Sequence, residues 1–144
     1  VPRPVPSQLW AIKRVAGADP AANVEVLDTV PAGKTWELLV VSIPLVQGIT
    51  QTPQPILVID DGTNVLYEMF GSSAAQAVST TCRYNWGPDL ALTGQVGATT
   101  NVHSTAPLPS GLYLPAGYRI GTNTIGKGAN TDYGVPSYVV IEYG

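Results

Sequence analysis

Ile56-Leu57-Val58-Ile59-Asp60-Asp61-Gly62-Thr63-Asn64-Val65-Leu66-Tyr67-Glu68-Met69-Phe70 is the stretch that decides the fold. Two apolar runs rich in β-branched and aromatic side chains flank four residues that favour chain reversal. That is the pattern of a β-hairpin. Asp60 and Asp61 invite comparison with a calcium loop, but no further oxygen ligands follow at suitable spacing and no Glu closes the set. Asx-turn hydrogen bonding accounts for both carboxylates.

Upstream, Val24, Val26 and Val30 alternate with Glu25 and Thr29, as in a half-buried strand. Pro31-Ala32-Gly33-Lys34 is a turn, with Pro fixing one φ and Gly permitting a positive one. Thr35 to Ile43 is apolar on both parities, which predicts a strand covered on two sides, and Pro44 ends that run or marks a bulge. Gly48 to Pro55 reads as loop. Gly71 to Thr80 is small and polar and fits either a short helix or a loop.

Downstream, Cys82-Arg83-Tyr84-Asn85-Trp86 alternates as a strand, and Leu90-Ala91-Leu92 suggests another short one. Gly94 to Pro109 reads as loop-rich and includes His103. A second turn, Pro115-Ala116-Gly117, joins Gly111–Leu114 to Tyr118–Asn123. Pro136 to Tyr143 is a terminal strand with Val139, Ile141 and Tyr143 on one parity. The count is eight or nine strands without a βαβ unit. The predicted fold is all-β, a two-sheet β-sandwich of jelly-roll or Greek-key type over residues 23–144.

Residues 1–22 read differently. Val1-Pro2-Arg3-Pro4-Val5-Pro6 places Pro at every second position, which favours extended backbone. Gln8 to Val15 is a strand with Trp10, Ile12 and Arg14 on one face, broken by Gly17-Ala18-Asp19-Pro20. The segment is an extended Pro-rich N-terminal arm or, with equal weight, a loosely held terminus with one edge strand. The first residue is Val rather than Met, which suggests a trimmed or processed start, and no signal peptide is visible.

Composition narrows the function classes. The chain has 144 residues, 44% of them hydrophobic, enough for one core without disulfide staples. Seven basic against ten acidic residues argue against a phosphate-binding surface. The longest purely apolar run, Leu38-Leu39-Val40-Val41, is far short of the ~20 residues of a membrane helix. The single cysteine, Cys82, reads as a small core residue, and the single histidine, His103, as a surface-loop residue. Neither belongs to a recognisable catalytic or metal-ligating set, so no catalytic residue, metal or cofactor is assigned.

Val24 to Ile43, Ile56 to Tyr67, Gly111 to Ile120 and Tyr138 to Tyr143 carry a resemblance. In order they resemble small β-sandwich virion proteins of tailed bacteriophages, among them capsid decoration (cement) proteins and related head or tail accessory proteins. The resemblance implies a homo-oligomer, commonly a trimer, bound to the major capsid protein or another virion protein. It places the chain on the capsid exterior after synthesis in the host cytoplasm. It transfers no functional residue.

Two functions are weighed. As a structural subunit the chain decorates and stabilises a capsid, with Leu9, Trp10, Ile12 and Arg14 as the candidate interface, a strand able to add to a neighbour's sheet edge. As an alternative it is a receptor- or carbohydrate-binding module of a phage head fibre or tail, using Tyr84, Trp86 and Tyr133 with Tyr113 and Tyr118 as a stacking face. Tyr84 and Trp86 share strand parity with Cys82, which favours core packing for them. An enzyme and a nucleic-acid binder are the least supported classes.

Overall fold

The computed structural model describes residues 10–144. Among them are twelve strands and no helix: β1 (Trp10–Ala16), β2 (Leu27–Thr29), β3 (Thr35–Gln47), β4 (Gln54–Asp60), β5 (Val65–Phe70), β6 (Thr80–Gly87), β7 (Val96–Ala98), β8 (Asn101–Pro107), β9 (Leu112–Pro115), β10 (Arg119–Ile125), β11 (Thr131–Tyr133) and β12 (Ser137–Tyr143). The larger sheet runs β1-β12-β3-β6-β8-β7, with β9 and β11 also paired to β3; the smaller runs β2-β10-β4-β5. Pairing is antiparallel except between β6 and β8. The fold is all-β with two sheets, as in a β-sandwich. The count exceeds eight or nine because β7 and β11, of three residues each, are too short to show a period, and β8 falls in the stretch expected to be loop-rich.

The hairpin forms as its sequence dictates. β4 pairs β5 from Ile56↔Phe70 to Asp60↔Val65. Asp60 Oδ1 accepts the Gly62 amide at 2.8 Å, and Asp61 Oδ1 accepts those of Thr63 and Asn64 at 2.9 and 2.6 Å. These bonds hold the Asp61 carboxyl below the usual carboxylate range. The Asx chemistry is therefore the reason for both residues.

β3 departs from its expectation. Trp36 and Leu38 point inward, and so do Val41, Ile43 and Leu45, so the buried parity switches in mid-strand. The cause is a bulge: Val139 pairs Val40 but Val140 pairs Leu38, which leaves Leu39 unopposed. Two inward runs of opposite parity produce the apolar character on both parities, not cover from two sides.

The two Pro-Ala-Gly turns do something the sequence does not announce. Each carries the chain from one sheet to the other: Pro31-Ala32-Gly33 from β2 to β3, Pro115-Ala116-Gly117 from β9 to β10. Gly33 and Gly117 take φ of 77° and 89°, the left-handed region that glycine enters without a Cβ penalty. The turns lie side by side, because Val30 N donates to Tyr118 O at 2.8 Å and Gly117 N to Val30 O at 3.0 Å.

Between the sheets lies one core. Trp36, Leu38, Val41, Ile43, Leu45, Cys82, Tyr84, Trp86, Tyr138 and Val140 of the larger sheet meet Leu57, Ile59 and Ile120 of the smaller. Cys82 is a buried core residue as expected. Gly71 to Thr80 contains no helix; it is pinned by Gln76, whose side chain donates to Leu45 O and Thr80 O and accepts from the Tyr84 hydroxyl. Two local expectations fail. Leu90-Ala91-Leu92 forms no strand, and His103 lies in β8 rather than a loop, because a polar, Thr-rich segment suffices for a strand with one solvated face.

Candidate interface on the outer face of the larger sheet

β1 is an edge strand of the larger sheet, in register with β12 from Trp10↔Tyr143 to Ala16↔Ser137. Val15 touches the core, and Lys13 pairs Glu142 at 2.9 Å, so these alternate residues face inward. Ile12 and Arg14 occupy the opposite parity, with Trp10 at the same register positions. Ile12 is 61% exposed, while Arg14 donates through Nε to Ser137 Oγ at 2.7 Å. Leu9 lies outside the described residues. Of the predicted interface, then, Ile12 and Arg14 share one face of a strand whose second edge has no partner among the described residues.

Directly paired residues of neighbouring strands share a face. Ile12 therefore stands beside Ile141, Ile141 beside Glu37, and Glu37 beside Tyr113 of β9. Arg14, Val139 and Val40 form the next row. Tyr143 and Tyr113 approach across β3 with ring centroids 6.1 Å apart and planes tilted by 42°. The Tyr143 hydroxyl donates to Glu37 Oε1 at 3.2 Å. Partial burial, followed by that carboxylate, raises the Tyr143 pKa. The result is an aliphatic and aromatic surface around one carboxylate, bordered by Arg14, with no second layer over it among the described residues.

Toward β6 and β8 the same outer face turns polar. Arg83 donates to Ser42 Oγ at 2.9 Å, Ser42 to Asn85 Oδ1 at 2.8 Å, and His103 Nε2 lies 2.9 Å from Asn101 Oδ1. These side chains bond one another on a solvated sheet. Among the described residues nothing there joins His103 to a nucleophile.

The stacking face expected for a ligand does not exist as such. Tyr84, Trp86 and Tyr133 are 0%, 0% and 1% exposed. Their polar atoms are committed inside: Tyr84 to Gln76, Trp86 Nε1 to Met69 O at 3.2 Å, and Tyr133 to the Thr124 hydroxyl. Burial pushes the Tyr84 and Tyr133 hydroxyls far above their ordinary pKa. Of the aromatic set, only Tyr113 offers most of its ring to solvent, at 54% exposure, and Tyr118 is packed against the core. The residues missed by sequence reasoning are Glu37 and the Tyr113–Tyr143 pairing. The parity of Val139, Ile141 and Tyr143 was the available signal.

Asp60 is held by Arg119 at 2.7 Å, and that hydrogen bond keeps its carboxyl below the usual range. Among the described residues no three His, Cys, Asp or Glu side chains are placed to hold a metal ion. No family model matches the chain, and no curated protein and no solved structure matches it.

Proposed function

We propose that this protein is a structural, non-enzymatic virion subunit that decorates and stabilises a bacteriophage capsid, binding the shell and its own copies as a homotrimer. One observation carries the reading: the apolar outer face of β1, β12, β3 and β9, continuous with the edge of β1 that has no partner among the described residues. Covering an exposed side chain such as Ile12 contributes about 1.5–3 kcal/mol. The open edge adds main-chain hydrogen bonds to a partner strand. A charged fraction of 12% accords with a surface partly destined for cover. The order of turn and strand motifs supports the virion assignment.

Light scattering and co-sedimentation with purified capsids test the proposal. A trimer that sediments with capsids is the expected result. A strict monomer that ignores capsids overturns it. The carbohydrate-binding reading has lost three of the five aromatic residues it was built on; glycan-array binding together with indifference to capsids would restore it.

A further inference from the structure

We infer that the Pro2–Pro6 segment of a second copy completes the outer face of the larger sheet, its prolines lying on the Tyr113–Tyr143 pair and Arg3 on the Glu37 carboxylate. The inference rests on the assembly reading above and names the contact that would produce it.

Three observations converge. First, Glu37 is a carboxylate in an apolar setting. Its row neighbours are Ile141 and Tyr113, and its hydrogen-bond donor is the Tyr143 hydroxyl. Among the described residues it meets no cation, since Lys13 and Lys34 reach Glu142 instead, at 2.9 and 3.9 Å. A carboxylate in such surroundings gains most from an arginine, whose planar fork matches it.

Second, exposed tyrosines in pairs are the surface that Pro-rich segments dock on, because a restricted chain loses little entropy and its rings pack flat on aromatic faces. The two rings here, Tyr113 exposed and Tyr143 partly buried, meet across β3 and present such a platform.

Third, the chain itself carries the complementary segment. Residues 2–6 alternate three prolines with Arg3 and Val5, so one cation is flanked by the rings that would lie on the tyrosines. The segment also starts from the right place. Trp10 pairs Tyr143 in the last row of the sheet, and Thr35 and Pro115 complete that row. Within one copy, a segment leading into Trp10 has to turn back over the sheet and cross β12 and β3 to reach Tyr113. That is roughly 14 Å at ~4.8 Å per strand. A neighbour's segment needs no such reversal, and residues 2–6 span a similar distance at ~3.1 Å per residue.

The test uses full-length variants and the association constant from light scattering or sedimentation over a concentration series. R3E, E37K and Y113A each weaken association about tenfold, with melting temperatures near that of the parent. An equimolar mixture of R3E and E37K recovers much of the loss, because contacts between unlike copies are again opposite in charge. R3E and E37K combined in one chain recovers it too. Recovery by the double variant without recovery by the mixture means the contact forms within one chain, which overturns the inference. If the parent assembles and all three single variants assemble equally well, the contact is wrong while the assembly reading stands. A parent that stays monomeric throughout removes both.

Discussion

The two sheets turn outer faces of different character to solvent. On the smaller sheet, apolar side chains are interrupted: Leu27 stands beside Gly121, Arg119 beside Asp60, and Glu68 beside Val58. On the larger sheet, Ile12, Ile141, Val139, Val40 and the two tyrosines adjoin one another around a single carboxylate. Both faces expose large apolar side chains, so exposure alone does not separate them. Contiguity does. A partner covering the larger sheet's face desolvates Glu37 and, toward its edge, Arg14, whereas one covering the smaller sheet's face must desolvate the Arg119–Asp60 ion pair and Glu68.

Ile12 and Leu27 are a matched pair for breaking this comparison, at 61% and 57% exposure on opposite faces. Ile12→Asp should weaken self-association about a hundredfold, roughly 2.8 kcal/mol. Leu27→Asp should leave it unchanged. Sedimentation velocity on both variants decides, and equal effects would dissolve the distinction between the faces.

Gly121 gives the next largest effect, on stability rather than assembly. A Cβ there would lie 2.5 Å from the Val26 carbonyl oxygen, where backbone must shift. Gly121→Val should cost about 2 kcal/mol in urea unfolding.

Acid should loosen β1 next. Glu142 accepts from Lys13 and from Trp36 Nε1, and its carboxyl lies below the usual range, chiefly through Lys13. A depressed carboxyl contributes stability that is present above its unfolded value, near ~4.3, and lost as pH falls through the lower folded value. Glu142→Gln should be about 1 kcal/mol less stable than the parent at pH 7, with the gap closing below pH ~4. Asp60→Asn, on the other face, should cost only about 0.5 kcal/mol. Thermal melts of the two variants across pH measure both.

The hairpin was legible because its turn chemistry and both strand periods lie within fifteen consecutive residues. The terminal strand was legible for the same reason, as were Cys82, Tyr84 and Trp86 as core. The parity switch in β3 was not. A bulge is set by the partner strand's register, so the sequence shows two overlapping periods and no marker between them. His103 escaped because a strand of small polar residues carries no apolar period. Half of the candidate interface could be read from the parities of Ile12 and of Val139, Ile141 and Tyr143. Glu37 and Tyr113 join it only through pairing between distant segments, which no local pattern encodes.

The twin Pro-Ala-Gly turns have a consequence for how the protein comes apart. Val30 and Tyr118 are neighbours in space but distant in sequence, and each sits where the chain passes between sheets. Neither sheet is a continuous stretch of chain, so peeling one away leaves the other without its own strand connections. Unfolding should therefore be a single cooperative transition in which tryptophan fluorescence and backbone circular dichroism change together. Folding should be slow for its length, since most native pairings close long loops.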